Sequence, residues 1–310
     1  MKVLALSGGI GGAKLALGLY RILPPGALTV VANTGDDFEH LGLSISPDID
    51  TLLYTLAGID NPDMGWGRRD ETWTFMAALE SLGGETWFKL GDGDLATHVE
   101  RTRRLAAGES LSEITEDFRR RLGISARLLP MSDDHVRTRL QTENGWLEFQ
   151  DYFVRLHSSP VVRGIAYAGA TEARACADFH GALFDRNLEA VVICPSNPFL
   201  SIDPILSVPG IREALRACRA PVVAVSPIVG GKAVKGPTAK IMAELGIPIS
   251  AAAIAQHYAD FLDVFVADEA DDKDVAGLGV PVTLTRTLML TLDDRDALAR
   301  VVLASAGRGF

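Results

Sequence analysis

Lys2-Val3-Leu4-Ala5-Leu6-Ser7-Gly8-Gly9-Ile10-Gly11-Gly12-Ala13-Lys14 joins a short apolar run to a glycine-rich turn, and Leu15, Leu19, Ile22 and Leu23 follow at helical spacing. The stretch reads as strand, glycine loop and helix. Leu28 to Ala32 is a second short strand, ending at Asn33. Ala190 to Cys194, Val222 to Val225, Val264 to Ala267 and Val282 to Leu284 repeat the theme. Helical patterns at Thr171 to Phe184, Val208 to Ala217 and Thr238 to Leu245 separate most of them. Strands alternating with helices predict an α/β, Rossmann-like domain over 1–310, with a mostly parallel sheet covered by helices on both faces. The middle of the chain breaks the rhythm. Ser110-x-x-Glu113 is a capping-box pattern opening a charged helix that ends at Gly123, and Val136 to Thr142 and Trp146 to Val154 flank the hairpin signal Asn144-Gly145. About 100 to 165 therefore reads as an inserted helix and β-hairpin.

Composition narrows the function. The 310 residues are 47% hydrophobic and 23% charged, which suits a chain that folds fully. With 30 Lys+Arg against 40 Asp+Glu, the net charge of −10 argues against a nucleic-acid partner, which needs basic surface to displace counterions. Cys176, Cys194 and Cys218 show no metal spacing and read as reduced thiols of a cytoplasmic protein. No run approaches the roughly 20 apolar residues that span a bilayer, and the N-terminal apolar run is too short for a signal peptide's core.

The chemistry is expected in loops that follow strands, because in an open parallel sheet these line the ligand crevice. Gly8, Gly9, Gly11, Gly12 and Lys14 would let a phosphate approach backbone amides at a helix N-terminus. A tight turn with glycines for packing accounts for the same letters. Lys14 follows Ala13 and precedes Leu15, so the Walker pattern fails, and the dinucleotide pattern fails because Lys14 stands where a glycine or alanine is needed. Asn33-Thr34-Gly35-Asp36-Asp37 and Ser46-Pro47-Asp48-Ile49-Asp50 bring Asp36, Asp37, Asp48 and Asp50 to one edge, a set suited to Mg²⁺ beside phosphate, while N-caps and turns are the ordinary uses of such acids. Cys194 to Pro204 offers Ser196 and Asn197 in a proline-stiffened loop, or is a plain connection. Ser226 to Pro237 offers glycines with Lys232 and Lys235, or is a solvated loop. Gly65-Trp66-Gly67 is too glycine-rich for a helix interior and would line a pocket for a flat ring. No histidine pair has helical metal spacing, and no G-x-S-x-G is present, so zinc and a serine nucleophile are not expected.

Taken in order, SGGIGGAK (7–14), NTGDDFEHLGLSISPDIDT (33–51), WFKLGDGDLATH (87–98), LLPMSDD (128–134), CPSNPFLSIDPIL (194–206) and SPIVGGKAVKGP (226–237) resemble the CofD family, the 2-phospho-lactate transferases of coenzyme F-420 biosynthesis. The likeness runs from residue 2 to about 290. It implies attack by the terminal hydroxyl of the deazaflavin Fo on a guanosine diphosphate-linked acid, release of GMP, and help from Mg²⁺. It also implies that Gly8 to Gly12, Asn33, Thr34, Ser196, Asn197 and Lys232 to Gly236 hold the nucleotide, and that Asp50 and Lys89 contact Fo beside Trp66, Trp87 and Phe88. Lys89 stands where the family commonly has arginine, which keeps the charge without the planar fork. The implied partners are Fo, the donor, a second copy of the chain in a homodimer, and a functional link to the guanylyltransferase that makes the donor. A nucleotide-sugar-binding regulatory protein of the same fold is the alternative, and a dehydrogenase a weaker one; Asp50 and WFKLGDGDLATH favour the transferase.

Overall fold

In a computed structural model, which describes residues 2–234 and 236–307, seven strands form one parallel sheet. In chain order they are β1 (Lys2–Ser7), β2 (Leu28–Ala32), β3 (Arg127–Pro130), β4 (Leu188–Ile193), β5 (Val222–Val225), β6 (Val264–Asp268) and β7 (Val282–Thr285). Across the sheet the order is β7-β6-β5-β4-β1-β2-β3. The order reverses between β1 and β4, which opens a crevice at their carboxyl ends. Every core strand runs the same way, where the sequence predicted only a mostly parallel sheet.

Alternation along the strands sorts the core into two layers. Val3, Ala5, Val30, Val192 and Val223 pack on one face with α1 (Gly9–Ile22), α2 (Pro47–Ala57) and the C-terminal helix Leu292–Ser305. Leu4, Leu6, Val31, Val191 and Ala224 pack on the other with Phe179, Leu215 and Ile254 from later helices. Side chains one residue apart on a strand point to opposite faces, so a strand buried on both sides must be apolar throughout. Val3 to Leu6 of β1 and all of β5 meet that requirement. α1 buries Ala13, Leu15, Ala16 and Leu19, at the spacing the sequence suggested.

Residues 100–165 divide differently from the expected helix-plus-hairpin insertion. The charged helix, α5 (Leu111–Arg121), has its capping box, with Ser110 Oγ accepting from Glu113 N, but it leads into β3, the edge strand beside β2. Only the Asn144-Gly145 hairpin stands apart from the main sheet. Its strands Arg137–Thr142 and Gly145–Glu148 gain a third partner, Val162–Ala168, in an antiparallel sheet. β3 is four residues of RLLP, too short for periodicity to tell from a loop. Two further helices complete the site region, α3 (Thr74–Ser81) and α4 (Asp92–Ala106). No described helix is long and apolar enough to cross a membrane.

Candidate functional site

Because all seven strands are parallel, the loops after their carboxyl ends gather at one edge, around a cavity of about 670 Å³. The loop after β1 meets the loop after β4 at the point of order reversal. Gly8 N donates to Ser196 Oγ at 3.2 Å. A methyl group on Gly11 would stand 2.5 Å from the Pro195 carbonyl oxygen, and one on Gly12 would stand 2.4 Å from Ser196 Oγ. These glycines are thus required by loop-on-loop packing. Gly9 has a different reason, a backbone φ of +64°, with nothing within 3.9 Å of where its side chain would be except Ser201 Oγ at the limit of 4.0 Å.

The first acid cluster is organised by Asn33. Its Nδ2 donates to Asp36 Oδ1 and Asp48 Oδ2, both at 2.9 Å, and its Oδ1 accepts from Gly35 N at 2.7 Å. The amide is thereby spent on holding the loop and is not turned to a nucleotide. Thr34 is buried beside it, with an unpartnered hydroxyl. Asp48 lies in the first turn of α2 yet caps the neighbouring helix: Gly9 N at the start of α1 donates to Asp48 Oδ1 at 2.6 Å. Asp37 accepts from Ser46 Oγ at 2.8 Å, and its other oxygen, Oδ1, is buried without a partner.

Burial dominates the electrostatics of this cluster. It pushes Asp37 up to about 7, against the pull of Arg137, the Ser46 hydroxyl and Arg101, with Asp50 adding to the rise. Asp48 is pushed up to about 6 by burial, opposed by its bonds from Asn33 and Gly9. Asp36 is pushed well above the carboxylate range by burial and by Asp48. Asp36 and Asp48 line the cavity, while Asp37 does not and is held instead beside Arg137 and Arg101. Two cavity-lining carboxylates suit Mg²⁺, which is usually held by one or two carboxylates and phosphate oxygens.

Asp50 belongs to a second cluster. Arg101 of α4 grips both its oxygens, Nη1 donating to Oδ2 at 3.1 Å and Nη2 to Oδ1. His98 Nδ1 stands 3.6 Å from Asp50 Oδ2, and His98 Nε2 stands 3.2 Å from Asp94 Oδ2. Asp50, Asp94 and His98 offer ligand atoms within 4.8 Å of one another. Among the described residues this is the one group of three whose ligand atoms converge closely enough for a metal ion, and both Asp50 oxygens in it are already paired to a guanidinium. Glu71 ties this helix to the Trp66 loop, its carboxylate accepting from Gly93 N at 2.6 Å and Asp94 N at 2.8 Å.

Part of the cavity wall is aromatic. Trp66, Trp87, Phe88 and Lys89 line it as the sequence suggested, joined by Phe149 and Phe153 from the segment after the hairpin. Trp87 and Phe88 pack edge-on, with ring centroids 5.8 Å apart, and Arg155 lies 5.6 Å over the Trp87 ring. Gly8, Gly9, Gly11, Lys14, Ser196 and Asn197 also line it, and Lys14 Nζ donates to the Met289 carbonyl at 2.9 Å. Asn197 Oδ1 accepts from Phe199 N at 3.0 Å and Leu200 N at 3.1 Å, which leaves its buried Nδ2 without a partner.

The loop after β5 departs from expectation. Gly230 N and Gly231 N donate to the two oxygens of Asp271, at 3.1 and 3.0 Å, so the chain's own acid fills the place proposed for a phosphate. Lys232 is exposed in a two-residue strand and is not among the cavity's lining residues. Lys235 lies outside the described residues. The residues missed from sequence are Tyr54, Asp94, His98, Arg101 and Asp271. Asp94, His98 and Arg101 carried a signal, the i, i+4, i+7 spacing on a helix; Asp271 carried none, since only folding brings it to Gly230.

Comparison with known proteins bears on the fold and the family. A protein of the UPF0052 family from Bacillus halodurans shares the fold, with a TM-score of 0.65 and 16% identity over 97% of this chain and 99% of that one. A phosphoenolpyruvate transferase of Kitasatospora aureofaciens is 42% identical over 99% of this chain and 98% of its own length. A 2-phospho-L-lactate transferase of Methanosarcina mazei is 41% identical over 97% of this chain and 99% of its own length. The family model for 2-phospho-L-lactate transferase CofD matches residues 3–278, and on that match and these relatives the chain belongs to the CofD family.

Proposed function

We propose that the protein transfers a phospho-acyl group (lactyl, enolpyruvyl or phosphoglyceryl phosphate) from a guanosine diphosphate donor to the terminal hydroxyl of the deazaflavin Fo, in coenzyme F-420 biosynthesis. The observation that carries the reading is one cavity lined both by the glycine loop with Asp36, Asp48 and Asp50 and by the aromatic rings of Trp66, Trp87, Phe88 and Phe149. The hydroxyl oxygen forms a new bond to the phosphorus that bears the acid, its proton passes to solvent, the bridging P–O bond to GMP breaks, and GMP leaves. Such a transfer depends on positioning and charge neutralisation more than on a protein nucleophile.

Asp50 accepts a hydrogen bond from the attacking hydroxyl and aims it. Trp66, Trp87 and Phe88 hold the ring, and Lys89 contacts Fo at the cavity rim. Lys14, Ser196 and Asn197 hold the donor, with the Asn197 Nδ2 donor available to a phosphate oxygen. Asp36 and Asp48 would hold Mg²⁺, which supplies the charge that offsets the diphosphate. A homodimer, a cytoplasmic location and a link to the enzyme that makes the donor belong to the same proposal.

Purified protein with Fo, Mg²⁺ and fresh donor should release GMP and yield a charged deazaflavin, and no product with any of the three acids refutes the reading. Asp50→Asn should lower kcat about 100-fold with the fold intact, since correct placement of the attacking group is worth that much; a near-normal rate removes Asp50 from the reaction. Titration with UDP-sugars is the control for a binding protein without turnover.

A further inference from the structure

The buried residues of α4 are Asp94, His98 and Arg101, spaced i, i+4 and i+7 along one stripe. A surface helix ordinarily turns an apolar stripe inward. Burying an acid, an imidazole and a guanidinium instead adds little stability, because desolvation roughly cancels the gain from pairing. The stripe is aimed at one group. Arg101, 1% exposed, forms a bidentate fork on Asp50 and is steadied by the Ser44 carbonyl at 3.4 Å. Behind it, His98 fills the gap between Asp50 and Asp94, and Tyr54 Oη donates to Asp94 Oδ1 at 2.5 Å. Asp50, Asp94 and His98 all reach the cavity wall, so this is no interior tie remote from the site.

We propose that Arg101 is a positioning residue for the transfer, fixing both oxygens of Asp50 so that its remaining lone pairs face the attacking hydroxyl. Two parallel hydrogen bonds stop the carboxylate from rotating, which a single ammonium contact does not do. Arg101 touches no substrate and acts through Asp50. The activity readout rests on the transferase reading above; the geometry does not.

The experiment is Arg101→Lys, which keeps the buried charge, beside Arg101→Ala with and without added guanidinium. A misplacement of about 1 Å at a reacting group costs on the order of 100-fold. Arg101→Lys should therefore lower kcat by about 30- to 100-fold, leave KM for the donor within about twofold, and leave the melting temperature near that of the wild type. Guanidinium, and not ammonium at equal ionic strength, should restore at least a tenth of the lost rate to Arg101→Ala. Wild-type kcat in Arg101→Lys overturns the proposal, as does a folded Arg101→Ala that guanidinium does not revive. A crystal structure of Arg101→Lys serves even if the wild type makes no product. A rotated Asp50 carboxylate supports the proposal, and an unmoved one overturns it.

Discussion

Replacing Asp37 by asparagine should change the sign of its effect on stability with pH. In the metal-free protein burial pushes Asp37 from an ordinary value of 3.8 up to about 7. Between those values the unfolded chain has released the proton while the folded chain keeps it, so the folded state binds more protons and stability falls as pH rises. The stability present below the ordinary value is lost by the time pH passes about 7. At about 1.4 kcal/mol per pH unit the loss is on the order of 4 kcal/mol. Asparagine does not titrate and escapes it, and its carbonyl still accepts from Ser46 Oγ. Its amide nitrogen then occupies the place of the orphaned Oδ1, at a cost of about 1–2 kcal/mol for an unmet donor. The balance is a variant less stable than wild type by about 1–2 kcal/mol at pH 4 and more stable by about 2–3 kcal/mol at pH 8. Urea denaturation in EDTA at half-unit pH steps measures this, and melting temperatures should differ by about 3–5 °C at pH 8. Mg²⁺ should narrow the gap at pH 8 by supplying the charge the acids lack. A stability difference that stays constant from pH 4 to pH 8 refutes the reasoning, because it would mean that Asp37 is not desolvated.

Two shorter predictions separate the loops. Gly11→Ala places a methyl group 2.5 Å from the Pro195 carbonyl oxygen, a backbone atom that cannot rotate away, and should cost about 1–3 kcal/mol in stability and weaken GMP binding in calorimetry. Lys232→Ala, exposed and outside the cavity lining, should leave donor KM within about twofold in the transfer assay. A tenfold rise would show that the loop after β5 closes over the nucleotide.

Both glycine-rich loops prompt a common point. Each offers backbone amides to an anion, and in each a carboxylate of the chain accepts them, Asp48 at Gly9 and Asp271 at Gly230 and Gly231. The glycine pattern is legible as an anion cradle because φ and steric freedom are local properties. Which anion fills the cradle is decided by residues far away in sequence.

The same division runs through the molecule. The sequence by itself determined the alternation of strands and helices, since a parallel sheet covered on both faces needs apolar strands at β1 and β5 and amphipathic helices such as α1 between them. It also determined that Gly8, Ser196 and the paired acids stand near strand ends, because motif and strand are adjacent in the chain. Tertiary structure alone decided that Arg127–Pro130 joins the main sheet, that Asp50 pairs with Arg101 while Asp36 and Asp48 share Asn33, and that Lys232 is exposed outside the cavity lining. The strand pairing and the Asp50–Arg101 contact join parts of the chain many residues apart, and local spacing constrains which face a residue occupies but not what it meets there.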